Sequence, residues 1–100
     1  MENHNAIVEF SITPVATDEH LSKAIAKCTG IVRESGLDNE LHAMGTIVEG
    51  DLDECLRVIR QCIDAVLADA PRASTSVRID CGKGRSGITS RVQSVEDKLS

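Results

Sequence analysis

Between Ala6 and Pro14 apolar and polar residues alternate, so that Val8, Phe10 and Ile12 share one side of an extended segment and Glu9, Ser11 and Thr13 the other. The pattern predicts a half-buried strand that stops at Pro14, which has no N–H to give to a ladder. Further on the period lengthens. Leu21, Ala24, Ile25, Cys28 and Val32 recur at steps of three and four, the spacing of a helix with one buried stripe. Thr17-Asp18 offers N-cap oxygens at its start, while Gly36 and Leu37 fit a left-handed C′ residue and its hydrophobic contact at its end. Gly30, inside this helix, costs about 1 kcal/mol relative to Ala and leaves room for a neighbouring backbone to approach.

Leu41–Met44 and Thr46–Glu49 read as two short strands, too close in sequence to pair except as an antiparallel hairpin or bulged ribbon. Gly45 between them supplies positive φ where the connection needs it. Asp51 opens a second helix, with Asp51-x-x-Glu54 as an Asp form of the capping box. Leu52, Cys55, Leu56, Ile59, Cys62, Ile63, Val66 and Leu67 make its apolar stripe, and Pro71 closes it. Alternation returns over Ser74–Cys81, with Thr75, Val77, Ile79 and Cys81 opposite Ser74, Ser76, Arg78 and Asp80. The glycine-rich loop Gly82–Gly87 is expected to be mobile, and Arg91–Leu99 to end the chain as a short helix. This order predicts a single α+β domain over residues 1–100, a ferredoxin-like βαββαβ sandwich. Four antiparallel strands would carry two helices on one face and leave the other face open.

Composition narrows what such a domain can bind. Phe10 is the only aromatic residue, so the core is aliphatic and no platform exists for stacking single-stranded nucleic acid. A net charge of −5 argues against gripping a phosphate backbone and favours cationic partners. No apolar run reaches about 18 residues, and MENHNAIVEF has neither the basic start nor the apolar core of a signal peptide. A cytoplasmic protein with no membrane span is expected. The four cysteines form no C-x-x-C pair and have no histidine at zinc-finger spacing, so free thiols used as small apolar side chains are expected.

Chemistry is then sought on the open face. Glu9, Ser11 and Thr13 point outward there, with Ser76, Arg78 and Asp80 from the last strand. Burying Leu41 turns His42 and Met44 outward, and keeping Glu49 out of the core exposes Ile47. Such a face is either solvated or covered by another subunit with a small ligand between, and the exposed sheet edge favours an oligomer. Gly82-Lys83-Gly84-Arg85-Ser86-Gly87 matches G-x-G-x-x-G, but no second β-α-β unit follows to complete a dinucleotide site. His42 with Ser11 makes no convincing nucleophile pair, and nothing separates the pKa values of Glu9 and Glu49. The residues give no metal set, no cofactor site and no catalytic constellation. They describe a binding protein.

Several motifs stand in an order that resembles one family. Glu9-x-Ser11-x-x-Pro14 with Thr17 comes first, then Glu34-Ser35-Gly36-Leu37, then Leu41-x-x-Met44-Gly45-Thr46-x-x-Glu49-Gly50-Asp51. With Ile79-Asp80 and Ser94-Val95-Glu96-Asp97-Lys98-Leu99 this set is similar to the thiamine-binding protein family. Similar proteins often have glycine where this chain has Ala16, and a more charged loop after Asp80. The resemblance implies non-catalytic binding of thiamine or its hydroxymethylpyrimidine part, in thiamine homeostasis or salvage, by a homo-oligomer built as a dimer of dimers. The expected site is Glu9, Ser11, Thr13, Met44, Gly45, Thr46 and Glu49. Its carboxylates would balance the thiazolium charge, its hydroxyls would meet the aminopyrimidine, and Met44 with Ile47 would wall the rings. Two other readings stay open: an assembly module with no ligand, and an acylphosphatase-like hydrolase. The second would want a basic phosphate cradle, whereas Pro14–Asp18 is neutral to acidic.

Overall fold

The structure is a computed structural model that describes residues 4–17, 21–83 and 87–99. Its elements run β1 (Asn5–Val15), α1 (Leu21–Glu34), β2 (Asp38–His42), β3 (Gly45–Asp51), α2 (Leu52–Leu67), β4 (Arg72–Cys81) and α3 (Ile88–Leu99). The strands form one antiparallel sheet in the order β2-β3-β1-β4, the ferredoxin-like arrangement read from the pattern. The largest shift from expectation is β2, which runs Asp38–His42 rather than Leu41–Met44. A two-residue turn, Ala43-Met44, joins His42 to its partner Gly45, so Met44 leaves the strand. Pairing across the sheet sets that register, and a segment as polar as Asp38–Glu40 gives no periodic sign of it.

Alternation along β1 buries Ala6, Val8, Phe10 and Ile12 beneath the helices, beside Val48 of β3. Cys28 and Val32 of α1 and Cys55, Val58, Ile59, Cys62 and Val66 of α2 complete the core. Each large aliphatic or aromatic side chain buried this way contributes roughly 1.5–3 kcal/mol. Half of the expected capping box forms on α2: the Asp51 carboxylate accepts from the Glu54 N–H at 3.2 Å, while the Glu54 carboxylate pairs with Arg57 instead of turning back to Asp51. Its buried arc centres on Val58, which the stripe omitted, and leaves Leu56 and Leu67 at the exposed margins. On β4, Val77 and Ile79 share the helix face with their partners Phe10 and Val8, yet both are half exposed and Cys81 is exposed. The physical reason is position, because β4 is an edge strand beyond the helices that cover the middle of the sheet.

Gly36 has φ 80°, as its C′ role requires. Gly30 is different from expectation: among the described residues nothing lies within 4 Å of where its Cβ would stand, so none of their backbones uses the space. Thr17 Oγ1 donates to the Asp69 carbonyl at 3.4 Å, while Asp18 of the expected cap and the centre of the glycine-rich loop lie outside the described residues. Ala16 has φ 59°, the one non-glycine residue among those described with positive φ. A Cβ there costs roughly 1–2 kcal/mol, partly offset in Ala16→Gly by the roughly 0.5–1 kcal/mol that glycine loses in chain entropy. That substitution is therefore expected to raise stability by about 0.5–1 kcal/mol, read as a higher urea midpoint at unchanged m-value. A lower midpoint would show that the methyl group contributes packing that outweighs its strain.

The open face is partly occupied. Glu49 Oε1 accepts from the Ile88 N–H at 3.2 Å, placing a carboxylate at the α3 N-terminus, and the Arg91 guanidinium pairs with Asp80. Among the described residues no helix is long and apolar enough to cross a membrane.

Candidate functional site

β4 pairs with β1 as far as Val15, but β3 pairs with it only from Asn5 to Phe10. By then the β2–β3 hairpin has turned back through Ala43-Met44. A notch opens beside Ser11–Val15, where no strand among the described residues pairs with β1 on that side. It holds a cavity of about 280 Å³. Leu21, Ile25 and Cys28 of α1 and Leu41 of β2 form walls, with Phe10 and Ile12 beneath. Ser11, Thr13, Thr46 and the turn Ala43-Met44-Gly45 complete the lining. Leu21 and Ile25 are exposed although they lie on the apolar stripe of α1, because they face this cavity rather than packed core.

Two residues shape the notch. A Cβ on Gly45 would stand 2.6 Å from the Phe10 carbonyl oxygen, so glycine is what lets the hairpin end close on β1. Thr46 is the one buried polar residue among those described, set opposite Phe10 on the helix face. It brings a hydroxyl to an otherwise apolar stretch of cavity wall.

His42 arranges the lip. Its Nδ1 accepts from the Met44 N–H at 3.2 Å, which places the proton of the neutral ring on Nε2. That Nε2 stands 3.2 Å from Glu9 Oε2. The distance is within ion-pair reach, yet no hydrogen bond joins the two, and the buried Nε2 has no hydrogen-bond partner among the described residues. Alternation along β1 places Glu9 on the open face, just across the edge of the strand. A shallow cleft of about 120 Å³ there, lined by Glu9, Ser76 and Arg78, shares Phe10, Ser11 and Met44 with the cavity.

Of the seven residues expected from the sequence, Ser11, Thr13, Met44, Gly45 and Thr46 line one cavity. Glu9 lies on the adjoining cleft. Glu49 is four residues along β3 from Gly45, about 13 Å at strand rise, and bonds to the first turn of α3. Ile47 borders a second cavity of about 310 Å³ between the open face and α3, with Ile7, Glu40, Asp80 and Arg91. The expected residues therefore fall on both faces of the sheet rather than on the open face alone. The walls Leu21, Ile25, Cys28 and Leu41 were not anticipated, because period alone cannot tell a side chain in packed core from one facing a cavity. Among the described residues no cluster of three or more His, Cys, Asp or Glu could hold a metal ion.

The arrangement offers apolar walls, neutral hydroxyls, an open strand edge and one carboxylate at the lip. That combination suits a small, partly apolar ligand. The sequence profile described as thiamine-binding protein matches residues 8–96. A UPF0045 protein of Mycobacterium bovis is 35% identical over 97 residues, covering 95% of this chain and 95% of that protein. The crystal structure of a hypothetical protein from Methanocaldococcus jannaschii superposes with a TM-score of 0.85 at 31% identity, covering 92% of this chain and 96% of its own. That of a candidate thiamine biosynthesis/salvage protein from Thermotoga maritima gives 0.80 at 21% identity, covering 91% and 98%, a likeness of fold.

Proposed function

The chain belongs to the thiamine-binding protein family, and from that premise we propose that it binds thiamine or its hydroxymethylpyrimidine part, without catalysis, in the notch beside Ser11–Val15. One observation carries the reading: five of the residues expected to contact ligand line a single cavity, with a sixth on the cleft that adjoins it. At about 280 Å³ the cavity is near the lower limit of the roughly 300–1,000 Å³ usual for small-molecule sites. It suits the pyrimidine inside, bonded by the Thr46, Ser11 or Thr13 hydroxyl or the free edge of β1. The thiazolium would then lie over the lip, near enough to Glu9 for a partly desolvated charge pair. The biological setting we propose is thiamine homeostasis or salvage in the cytoplasm.

Thermal unfolding with and without each ligand tests the reading. Mass action gives about 2.7 kcal/mol of stabilisation at a ligand concentration 100 times Kd, a rise of roughly 10 °C or more in a domain of this size. An unmoved transition at millimolar thiamine and millimolar hydroxymethylpyrimidine would remove it.

A second reading, assembly, is supported by a different observation. Val77 and Ile79 on the edge strand and Val92, Val95 and Leu99 on α3 are all exposed, and β4 has no strand on its outer side among the described residues. A homo-oligomer, in the form of a dimer of dimers, is the natural cover for these surfaces. A native mass measurement showing oligomer without any thiamine response would favour assembly as the whole function.

A further inference from the structure

Cys28 and Cys62 face one another across the seam between α1 and α2. The Cys28 thiol donates towards the Cys62 carbonyl at 3.9 Å, and the Cys62 thiol donates towards the Cys28 carbonyl at 3.7 Å. Two reciprocal contacts of this kind hold both sulfurs in the same small volume of core. Their surroundings differ in one respect: Cys28 also borders the notch cavity, whereas Cys62 is fully buried. A reagent small enough to enter about 280 Å³ therefore meets Cys28 first and Cys62 only through it.

We propose that Cys28 and Cys62 form an oxidisable dithiol, in which a small hydroperoxide entering the notch oxidises Cys28 and Cys62 then closes a disulfide between α1 and α2. The Cys28 sulfur attacks one peroxide oxygen, an S–O bond forms, the O–O bond breaks, and the departing hydroxide takes the Cys28 proton to leave as water. The Cys62 sulfur next attacks the sulfenic sulfur, the S–S bond forms, the S–O bond breaks, and hydroxide leaves with the Cys62 proton as a second water. Two thiols are oxidised to one disulfide and one hydrogen peroxide is reduced to two waters.

Hydrogen bonding from Cys62 holds the Cys28 thiol below its ordinary pKa against the opposing effect of burial, with the Lys27 charge assisting. The same bond, with burial, pushes the Cys62 thiol up. The other cysteines supply internal controls. Cys55 is fully buried and does not border the cavity, while Cys81 is exposed on the edge strand. The proposal stands whatever ligand the cavity takes.

The test uses the intact protein, oxidised by hydrogen peroxide, then unfolded, alkylated and weighed. The expected product has lost about 2 Da, the two thiol hydrogens, and proteolytic mapping links Cys28 to Cys62 while Cys55 remains alkylatable. In Cys62→Ala the sulfenic acid on Cys28 should persist and be trapped by dimedone, whereas in Cys28→Ala position 62 should remain a thiol. The trap on Cys28 distinguishes a reactive site from a merely close pair. A Cys28 that stays alkylatable after Cys81 is fully oxidised would overturn the proposal. So would links that run only through Cys81.

Discussion

Gly45→Ala is expected to destabilise the domain by about 2–3 kcal/mol, the upper range for forcing atoms into a filled space. The new Cβ would lie 2.6 Å from the Phe10 carbonyl oxygen, and that oxygen belongs to an interior strand of the sheet, held between β3 and β4, which cannot rotate aside. Gly50→Ala is a matched comparison. Gly50 has φ 159° against 156° for Gly45, so the backbone cost of a side chain is nearly the same. Its Cβ would also meet an atom at 2.6 Å, but that atom is Leu37 Cδ2, the end of a flexible side chain. Urea unfolding of both variants should place Gly45→Ala well below Gly50→Ala. Equal losses would mean that backbone conformation, not closure of the hairpin on β1, sets the need for glycine.

Thr46→Val should weaken thiamine binding about tenfold, equivalent to about 1.4 kcal/mol and typical of losing one hydrogen bond in a closed site. The exchange keeps the shape of the side chain and removes only its hydroxyl. Because Thr46 is a buried polar residue in an aliphatic core, folding stability should stay level or rise. Glu49→Gln provides the contrast. Glu49 lies at the other end of β3 and holds the first turn of α3, so its loss of charge should leave affinity unchanged. Calorimetric titration of the two variants separates the faces of the sheet. If Glu49→Gln loses affinity and Thr46→Val does not, the ligand sits on the open face.

Much of the fold could be read from residue order because it rests on local signals. Val8, Phe10 and Ile12 alternate, Asp51 caps α2, and Gly36 ends α1, each by the chemistry of a few neighbouring residues. What could not be read depends on distant pairing. β2 takes its register from β3, α3 is fixed by a bond from Glu49 across 39 positions, and β4 loses its cover by being last in the sheet. The candidate site shows the same division. Ser11, Thr13, Met44, Gly45 and Thr46 stand out as polar or conformationally special residues in short strands and a turn. Leu21, Ile25 and Cys28 carry only the helical period, which is identical whether the stripe meets core or cavity. The notch itself arises from a difference in strand length that no single segment encodes, since β1 and β4 pair on to Val15 after β3 has stopped at Phe10.

The location of binding decides between the notch and the second cavity under α3. Titrating isotope-labelled protein with thiamine, while following backbone amide resonances, tests it directly. Binding in the notch predicts shifts at Ser11, Ile25, Ala43, Met44, Gly45 and Thr46, with Ile7, Glu40, Ile47 and Asp80 unmoved. Shifts confined to those last four residues, or a spectrum that saturating thiamine leaves unchanged, would contradict it.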